Sequence, residues 1–124
     1  MARFSRLRLL LALPLISACE GSGPGPDDPP TTSRLVYIGN DFFRSGINNS
    51  TDRAVDTLSV NGTVTWIWTE AGDHSVIFDN QDLPMSEVIS AAGSQHAVTF
   101  PAAGSFDYIC SVHGLQMTGT VVVR

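Results

Sequence analysis

The stretch Thr63–Thr69, TVTWIWT, has the two-residue alternation of a β-strand with two different faces. Val64, Trp66 and Trp68 fall on one face, whereas Ile67 and the threonines fall on the other. Because both tryptophans share a face, the simplest interpretation of that face is that it packs into a core. The stretch therefore predicts a strand with one side buried.

Six other short runs are rich in Val, Ile, Thr and aromatic residues and are divided by turn-forming pairs such as Asn61-Gly62. These runs are Leu35–Ile38, Thr57–Val60, His74–Phe78, His96–Phe100, Phe106–Cys110 and Thr120–Val123. The segment Gln81–Ser90 fits a short helix or an irregular loop equally well. Seven to eight short strands at this spacing predict an all-β fold, a β-sandwich formed by residues 34–124.

The N-terminus has the features of an export signal. Three arginines precede the apolar run Leu9–Ile16, which is shorter than the roughly 20 residues of a membrane-spanning helix. The sequence ISAC, Ile16–Cys19, resembles the lipobox of bacterial lipoproteins, which implies that Cys19 is lipidated; an ordinary secretory signal is the alternative. We therefore predict a lipoprotein signal peptide over residues 1–18.

The lipidated Cys19 and the Gly- and Pro-rich residues that follow predict a tether over residues 19–33. The lipid would anchor the protein to a membrane of the cell envelope, on the periplasmic side or at the outer surface. Cys110 would then be the remaining thiol in a compartment that favours disulfides. Such a thiol needs burial or a metal ion.

The chain is acidic, with no lysine, 7 arginines and 12 acidic residues, for a net charge of -5. Removal of residues 1–18 would leave 4 arginines against 12 acidic residues, a net charge of -8. An acidic surface repels the phosphate backbone, so we predict no nucleic-acid partner. A cationic protein or a small cation fits better.

The stretch Cys110–Met117, CSVHGLQM, places a thiol, an imidazole and a thioether between the last two predicted strands. His74 begins a strand, and the start of one strand lies beside the end of its antiparallel neighbour. Two imidazoles, one thiolate and a weak axial thioether are typical of an electron-transfer copper site. We predict that His74, Cys110, His113 and Met117 bind one copper ion, which alternates between Cu(I) and Cu(II).

Other interpretations of these residue types remain. Cys110 could be an inert buried thiol or half of a catalytic Cys-His pair, but no orienting residue or oxyanion-binding motif is recognisable, so we do not predict an enzyme. His96 is interpreted as a surface histidine and Met85 as a core residue. The acidic residues Asp73, Asp79 and Asp82 form either a docking surface or a solvated loop face.

The sequence CSVHGLQMTGTVVV, preceded by GSFDYI, and the segment EAGDHSVIFD resemble the ligand segments of the cupredoxins, the plastocyanin- and pseudoazurin-like blue copper proteins. The resemblance covers residues 34–124 and implies a Greek-key, cupredoxin-like fold. It places His74, Cys110, His113 and Met117 at the positions of the four copper ligands. It also implies a monomeric type 1 copper protein that passes single electrons between redox proteins, such as a c-type cytochrome and a terminal reductase or oxidase.

This sequence departs from its relatives near the ligands. Three residues separate His113 from Met117, where plastocyanin has four and amicyanin two. Val112 replaces a frequent proline, and Ser75 stands where plastocyanin has asparagine. In this family the edge of the second histidine is exposed within an apolar patch, which implies a transient partner-docking patch at Val112 and Leu115.

Two alternatives from other functional classes follow from the same residues. A periplasmic protein that takes up or delivers copper could use the same four ligands. A structural or adhesive sandwich on a lipid tether would bind no metal tightly, and it would leave the loop CSVHGLQM unexplained.

Overall fold

The computed structural model describes residues 31–124, which form two four-stranded β-sheets packed face to face. No helix occurs within this part of the chain, and so none there could span a membrane. The strands are β1 (Ser33–Ile38), β2 (Phe43–Ser45), β3 (Ala54–Leu58), β4 (Thr63–Trp68), β5 (Ile77–Phe78), β6 (Gln95–Thr99), β7 (Gly104–Cys110) and β8 (Gly114–Val123). The predicted all-β sandwich is confirmed.

Both sheets are mixed. The first has the order β2-β1-β4-β6 and the second the order β3-β8-β7-β5. The β1–β4 and β3–β8 pairs are parallel, and the other pairs are antiparallel. Because the chain passes repeatedly from one sheet to the other between β2 and β7, residues distant in sequence meet at the ends of the sandwich.

The alternating stretch that predicts β4 places its large residues between the sheets. Val64, Trp66 and Trp68 are fully buried, as their shared face predicts. The Trp66 ring meets the rings of Phe78 and Tyr108 edge to face, with centroids 5.6 and 5.1 Å apart. Trp66 belongs to one sheet and Phe78 and Tyr108 to the other, so this aromatic cluster joins the two sheets. Burial of each large apolar side chain stabilises the fold by about 1.5–3 kcal/mol.

Several strand boundaries differ from the sequence prediction. The short edge strand β2 was not predicted, because its three residues, FRS, are too few to show the two-residue alternation of a strand. Strand β8 begins at Gly114 rather than Thr120, since a tight turn with positive φ (61°) at Gly114 lets the chain pair immediately with β7. The predicted strand His74–Phe78 is reduced to β5 and one isolated bridge, between His74 and Ile89.

The predicted signal peptide over residues 1–18 and the predicted lipidation site Cys19 lie outside the described residues, as does most of the predicted tether over residues 19–33. The described end of that tether already belongs to the domain. The carbonyl oxygens of Thr31 and Thr32 accept hydrogen bonds from the backbone of the β3–β4 region, and β1 begins at Ser33. The folded domain therefore begins at least three residues before residue 34.

A polar group lies inside the apolar core. The Asp56 side chain is fully buried, and its Oδ1 accepts a hydrogen bond of 2.7 Å from Ser45 Oγ. Its Oδ2 has no partner among the described residues, and neither do Trp66 Nε1 and the Tyr108 hydroxyl. Because desolvation disfavours the carboxylate, burial raises the pKa of Asp56.

The packing of Tyr108 against β8 generates a prediction. A Cβ atom on Gly119 would lie closer to the Tyr108 ring and hydroxyl than any real contact allows. We expect Gly119→Ala to lower the free energy of unfolding by about 2–3 kcal/mol, because this filled core cannot yield to an added methyl group. Chemical denaturation of the metal-free protein measures the effect. Thr118→Ala, on the other face of β8, is the control and should cost about 0.5 kcal/mol; equal losses would contradict the packing argument.

Candidate metal centre

Three of the predicted ligands meet at one end of the sandwich. Cys110 is the last residue of β7 and is fully buried. His113 closes the short turn between β7 and β8. His74 is 2% exposed and lies on the segment before β5. The adjacency of strand ends thus brings two distant segments together, as the sequence predicts.

The donor atoms of the three side chains form a compact cluster. Cys110 Sγ lies 3.9 Å from His74 Nδ1 and 3.5 Å from His113 Nδ1. The possible ligand atoms of the three residues all lie within 4.8 Å of one another. The two imidazole rings stack at a centroid distance of 5.0 Å and an angle of 29°. Both Nδ1 atoms therefore face the same sulfur.

Met117 lies inside β8 rather than in the loop before it, contrary to the predicted strand boundary. Its side chain is 1% exposed. Thr118 pairs with Ile109 and Gly114 pairs with Cys110, so Met117 is the last of the β8 residues that the register shift leaves without a partner on β7. Met117 is thus a buried residue of the hairpin that carries Cys110 and His113, and its role as the axial ligand stays a prediction.

The position of His74 is determined by main-chain hydrogen bonds to Ile89. His74 N donates to the Ile89 carbonyl at 3.1 Å, and Ile89 N donates to the His74 carbonyl at 2.9 Å. The same Ile89 carbonyl accepts a bond of 2.9 Å from Trp68 Nε1. The indole of β4 therefore anchors the bridge that positions His74, a contact that the sequence analysis missed.

A pair of serines joins the two ligand-bearing segments. Ser75 Oγ accepts a hydrogen bond of 2.9 Å from Ser111 N and lies 2.7 Å from Ser111 Oγ. Ser75 follows His74, and Ser111 follows Cys110, so the bonds fix the separation of the two ligands' backbones. The sequence analysis noted Ser75 only as a departure from plastocyanin; its small polar side chain beside His74 was the available signal.

The electrostatic environment favours neutral His74. Burial is the main cause that lowers its pKa, and repulsion from His113 lowers it further. The carboxylates of Asp41 and Asp73 act in the opposite direction with smaller effect. Because a metal ion binds the neutral imidazole, the folded protein holds His74 in its ligand form.

The other residues considered in the sequence lie apart from this cluster. The His96 ring interacts with the carbonyl of Pro84 at 3.1 Å and is not part of the donor group. Met85 is 42% exposed, so its prediction as a core residue is wrong; Leu83 supplies the buried apolar side chain of that segment. Val112 and Leu115 are exposed beside His113, where the docking patch is predicted.

The donor set matches the chemistry of copper. Thiolate is a soft donor suited to Cu(I), whereas imidazole serves both oxidation states of the ion. A buried thiol with two imidazoles close to its sulfur provides both kinds of donor. The residues of this site therefore fit a single copper ion.

Comparison with known proteins agrees with this chemistry. A family profile described as copper binding proteins of the plastocyanin/azurin family matches residues 52–124. Plastocyanin from Scenedesmus fuscus is 28% identical over 78 residues, which cover 55% of this chain and 80% of that protein. Plastocyanin from Prochlorothrix hollandica is 31% identical over 76 residues, which cover 55% of this chain and 58% of that protein.

The fold also resembles solved copper-protein structures. Amicyanin from Paracoccus versutus superposes with a TM-score of 0.57 at 26% identity, over 78% of this chain and 86% of that one. Because the family profile covers more than half of the chain, this chain belongs to the plastocyanin/azurin family of copper-binding proteins. Proteins of this family are electron carriers rather than enzymes, and the predicted copper cofactor is confirmed.

The depressed pKa of His74 predicts how pH affects the metal-free protein. Below pH 6.5, the usual pKa of histidine, the unfolded chain binds a proton at His74 that the folded protein does not bind. The contribution of His74 to the free energy of unfolding should therefore fall as pH decreases from this value towards the lowered folded pKa. Denaturant titration between about pH 7 and pH 5 tests this. His74→Gln should remove part of the slope, and an unchanged slope in the variant would contradict the assignment.

Proposed function

We propose that this protein is a type 1 copper electron-transfer protein that passes single electrons between redox proteins of the cell envelope. The observation that supports the proposal most directly is the cluster of one buried thiol and two imidazoles within 4.8 Å, at an end of the sandwich where His113 reaches the surface. Copper bound there would accept and release one electron. His74, Cys110, His113 and Met117 are the proposed ligands.

Each proposed ligand has a distinct task. Cys110, as a thiolate, supplies negative charge and a soft donor inside the core. His74 is buried and supplies a neutral imidazole. The His113 side chain is 29% exposed, so its outer edge is the short route between the site and a docked protein. The Met117 thioether would tune the reduction potential.

Rigid attachment of these side chains suits electron transfer. Strand β7, the Ser75–Ser111 bonds and the His74–Ile89 bridge restrict the ligand-bearing backbone. Electron transfer changes the charge of the bound ion, and ligands that cannot rearrange keep the accompanying reorganisation small. Because these ligands are held in place before the electron arrives, little energy is needed to reorganise them.

Copper uptake or delivery is the alternative function, because it could use the same donors. The partial exposure of the His113 side chain favours copper uptake or delivery, because it gives a competing chelator or protein access to one ligand. The two functions differ in metal exchange. A delivery protein should lose copper readily to a competing chelator, whereas an electron carrier should retain the ion in both oxidation states.

We also propose that the protein is exported and anchored to an envelope membrane through Cys19. The support comes from the basic and apolar residues 1–18, the lipobox-like ISAC and the Gly- and Pro-rich residues 19–33. Such a tether would let the copper domain reach redox partners, such as a c-type cytochrome or a terminal reductase or oxidase. The domain would act as a monomer.

Visible absorption tests the proposed copper site. Titration of the metal-free protein with Cu(II) should produce an intense blue thiolate-to-copper band that saturates at one equivalent. Cys110→Ser should abolish the band because it removes the thiolate, whereas Ser105→Ala, at the far end of β7, should retain it. A wild-type protein that binds Cu(II) without this band would exclude a type 1 site.

The axial role of Met117 gives a second spectroscopic and electrochemical prediction. Met117→Gln should retain the copper and its blue colour but lower the reduction potential, because an amide oxygen favours Cu(II) more than a thioether does. Cyclic voltammetry measures the change, with Met85→Gln as the matched control at an exposed methionine. If both variants have the wild-type potential, Met117 is not the axial ligand.

A further inference from the structure

The surface around the exposed edge of His113 combines apolar side chains with one carboxylate. Leu115 is 86% exposed and Val112 is 50% exposed. The carboxylate of Asp41 lies 3.4 Å from His113 Nε2, and its side chain is 82% exposed. We call these four residues the rim surface. A negative charge thus lies at the point where the proposed electron path leaves the protein.

The turn that carries Asp41 has a defined conformation. Gly39 N donates a hydrogen bond of 3.1 Å to the Phe42 carbonyl, which closes the turn between β1 and β2. The Phe42 ring covers Gly39 so closely that a Cβ atom there would overlap it. The backbone therefore presents Asp41 towards His113 from a closed turn rather than from an extended loop.

The charge of Asp41 has no arginine partner among residues 31–124. Arg53 pairs with Asp107, and Arg44 stacks over Tyr37. Arg34 donates to the Thr57 carbonyl. Within the described part of the chain, His113 is the basic side chain that lies within ion-pair distance of Asp41, and a metal ion would keep it from carrying a proton at Nδ1. The field of Asp41 also extends into the site: burial and His113 lower the pKa of His74, and Asp41 offsets a smaller part of that lowering.

We propose that the rim surface docks a redox protein that presents a lysine or arginine side chain at the edge of an apolar contact, with Asp41 as the group that pairs with it. This inference rests on the proposed electron transfer and specifies the partner of that same site. An anionic partner would be repelled by the Asp41 carboxylate, and a neutral partner would desolvate it without offering an opposite charge, which carries an energetic cost. A cationic partner would remove that cost and would be attracted before contact.

The electron balance of the encounter is simple. One electron passes from the reduced copper protein to the bound partner. Copper is oxidised from Cu(I) to Cu(II), and the oxidation state of the partner falls by one, so no proton or co-reactant is needed. The apolar side chains Val112 and Leu115 allow close approach to the His113 edge. Asp41 selects the charge of the partner and is not itself one of the proposed metal ligands.

Two small oxidants of opposite charge test whether Asp41 selects reaction partners by their charge. The full-length, copper-loaded, reduced protein is mixed with tris(phenanthroline)cobalt(III), which is cationic and has apolar ligands, or with ferricyanide, which is anionic. At about 0.01 M ionic strength, where charges act over about 30 Å, the second-order rates are measured by stopped flow. We expect Asp41→Asn to slow the cobalt reaction about fivefold and to accelerate the ferricyanide reaction by a similar factor.

Asp79→Asn is the matched variant, because it removes the same charge from the other candidate acidic surface. It should change each rate less than twofold. Equal effects of the two variants would mean that net charge alone governs the rates, and a larger effect at Asp79 would place the docking surface there; either result overturns the proposal. Failure of both oxidants to react with the wild-type protein would instead count against the proposed electron transfer.

A redox-inert probe separates docking from electron transfer. Tris(phenanthroline)chromium(III) has the same charge and shape as the cobalt complex but is not reduced under these conditions, and its unpaired electrons broaden nearby NMR signals. In the metal-free full-length protein it should broaden the methyl signals of Val112 and Leu115, and Asp41→Asn should remove most of this broadening. Equal broadening in the wild type and the Asp41 variant would overturn the proposal even if electron transfer is confirmed.

Discussion

The carbonyl group of Ile89 joins the core to the metal centre. It accepts hydrogen bonds from both Trp68 Nε1 and His74 N, so an indole buried between the sheets and the first histidine share one acceptor. Trp68 is fully buried and its position is set by core packing. The position of His74 therefore depends on the same packing that stabilises the sandwich. A movement of Trp68 would be transmitted to His74 through a single peptide group.

The second half of the site depends on strand pairing. Cys110 ends β7, and β8 begins at Gly114 after a turn that contains His113. The Ser75–Ser111 hydrogen bonds then connect this hairpin to the segment of His74. Two short polar contacts and one backbone bridge thus hold together ligands that come from separate segments. Few additional contacts are required between these segments, because the sandwich has already brought the strand ends together.

The sequence contained enough information to predict the sandwich and the cluster of thiol and imidazoles. Strand β4 has a clear alternation, and its large residues are buried as that period requires. The edge strand β2 could not be predicted, because pairing with β1 determines it rather than its own residues. The early start of β8 was missed for a related reason, since GLQMTG has no β-branched pattern and its strand conformation comes from the ladder with β7. The contacts of Ile89 and Asp41 were not predictable, because each joins loops whose paths only the folded chain defines.

The burial of Cys110 also makes its thiol a reporter of internal motion. This side chain is fully buried, with His113 on the side that reaches solvent. An alkylating reagent can therefore reach the sulfur only when the turn between β7 and β8 opens. When closing is faster than labelling, the labelling rate is proportional to the population of the open state, as in hydrogen exchange. The ligand thiol would thus measure the local free energy of opening at the site where a copper ion must enter.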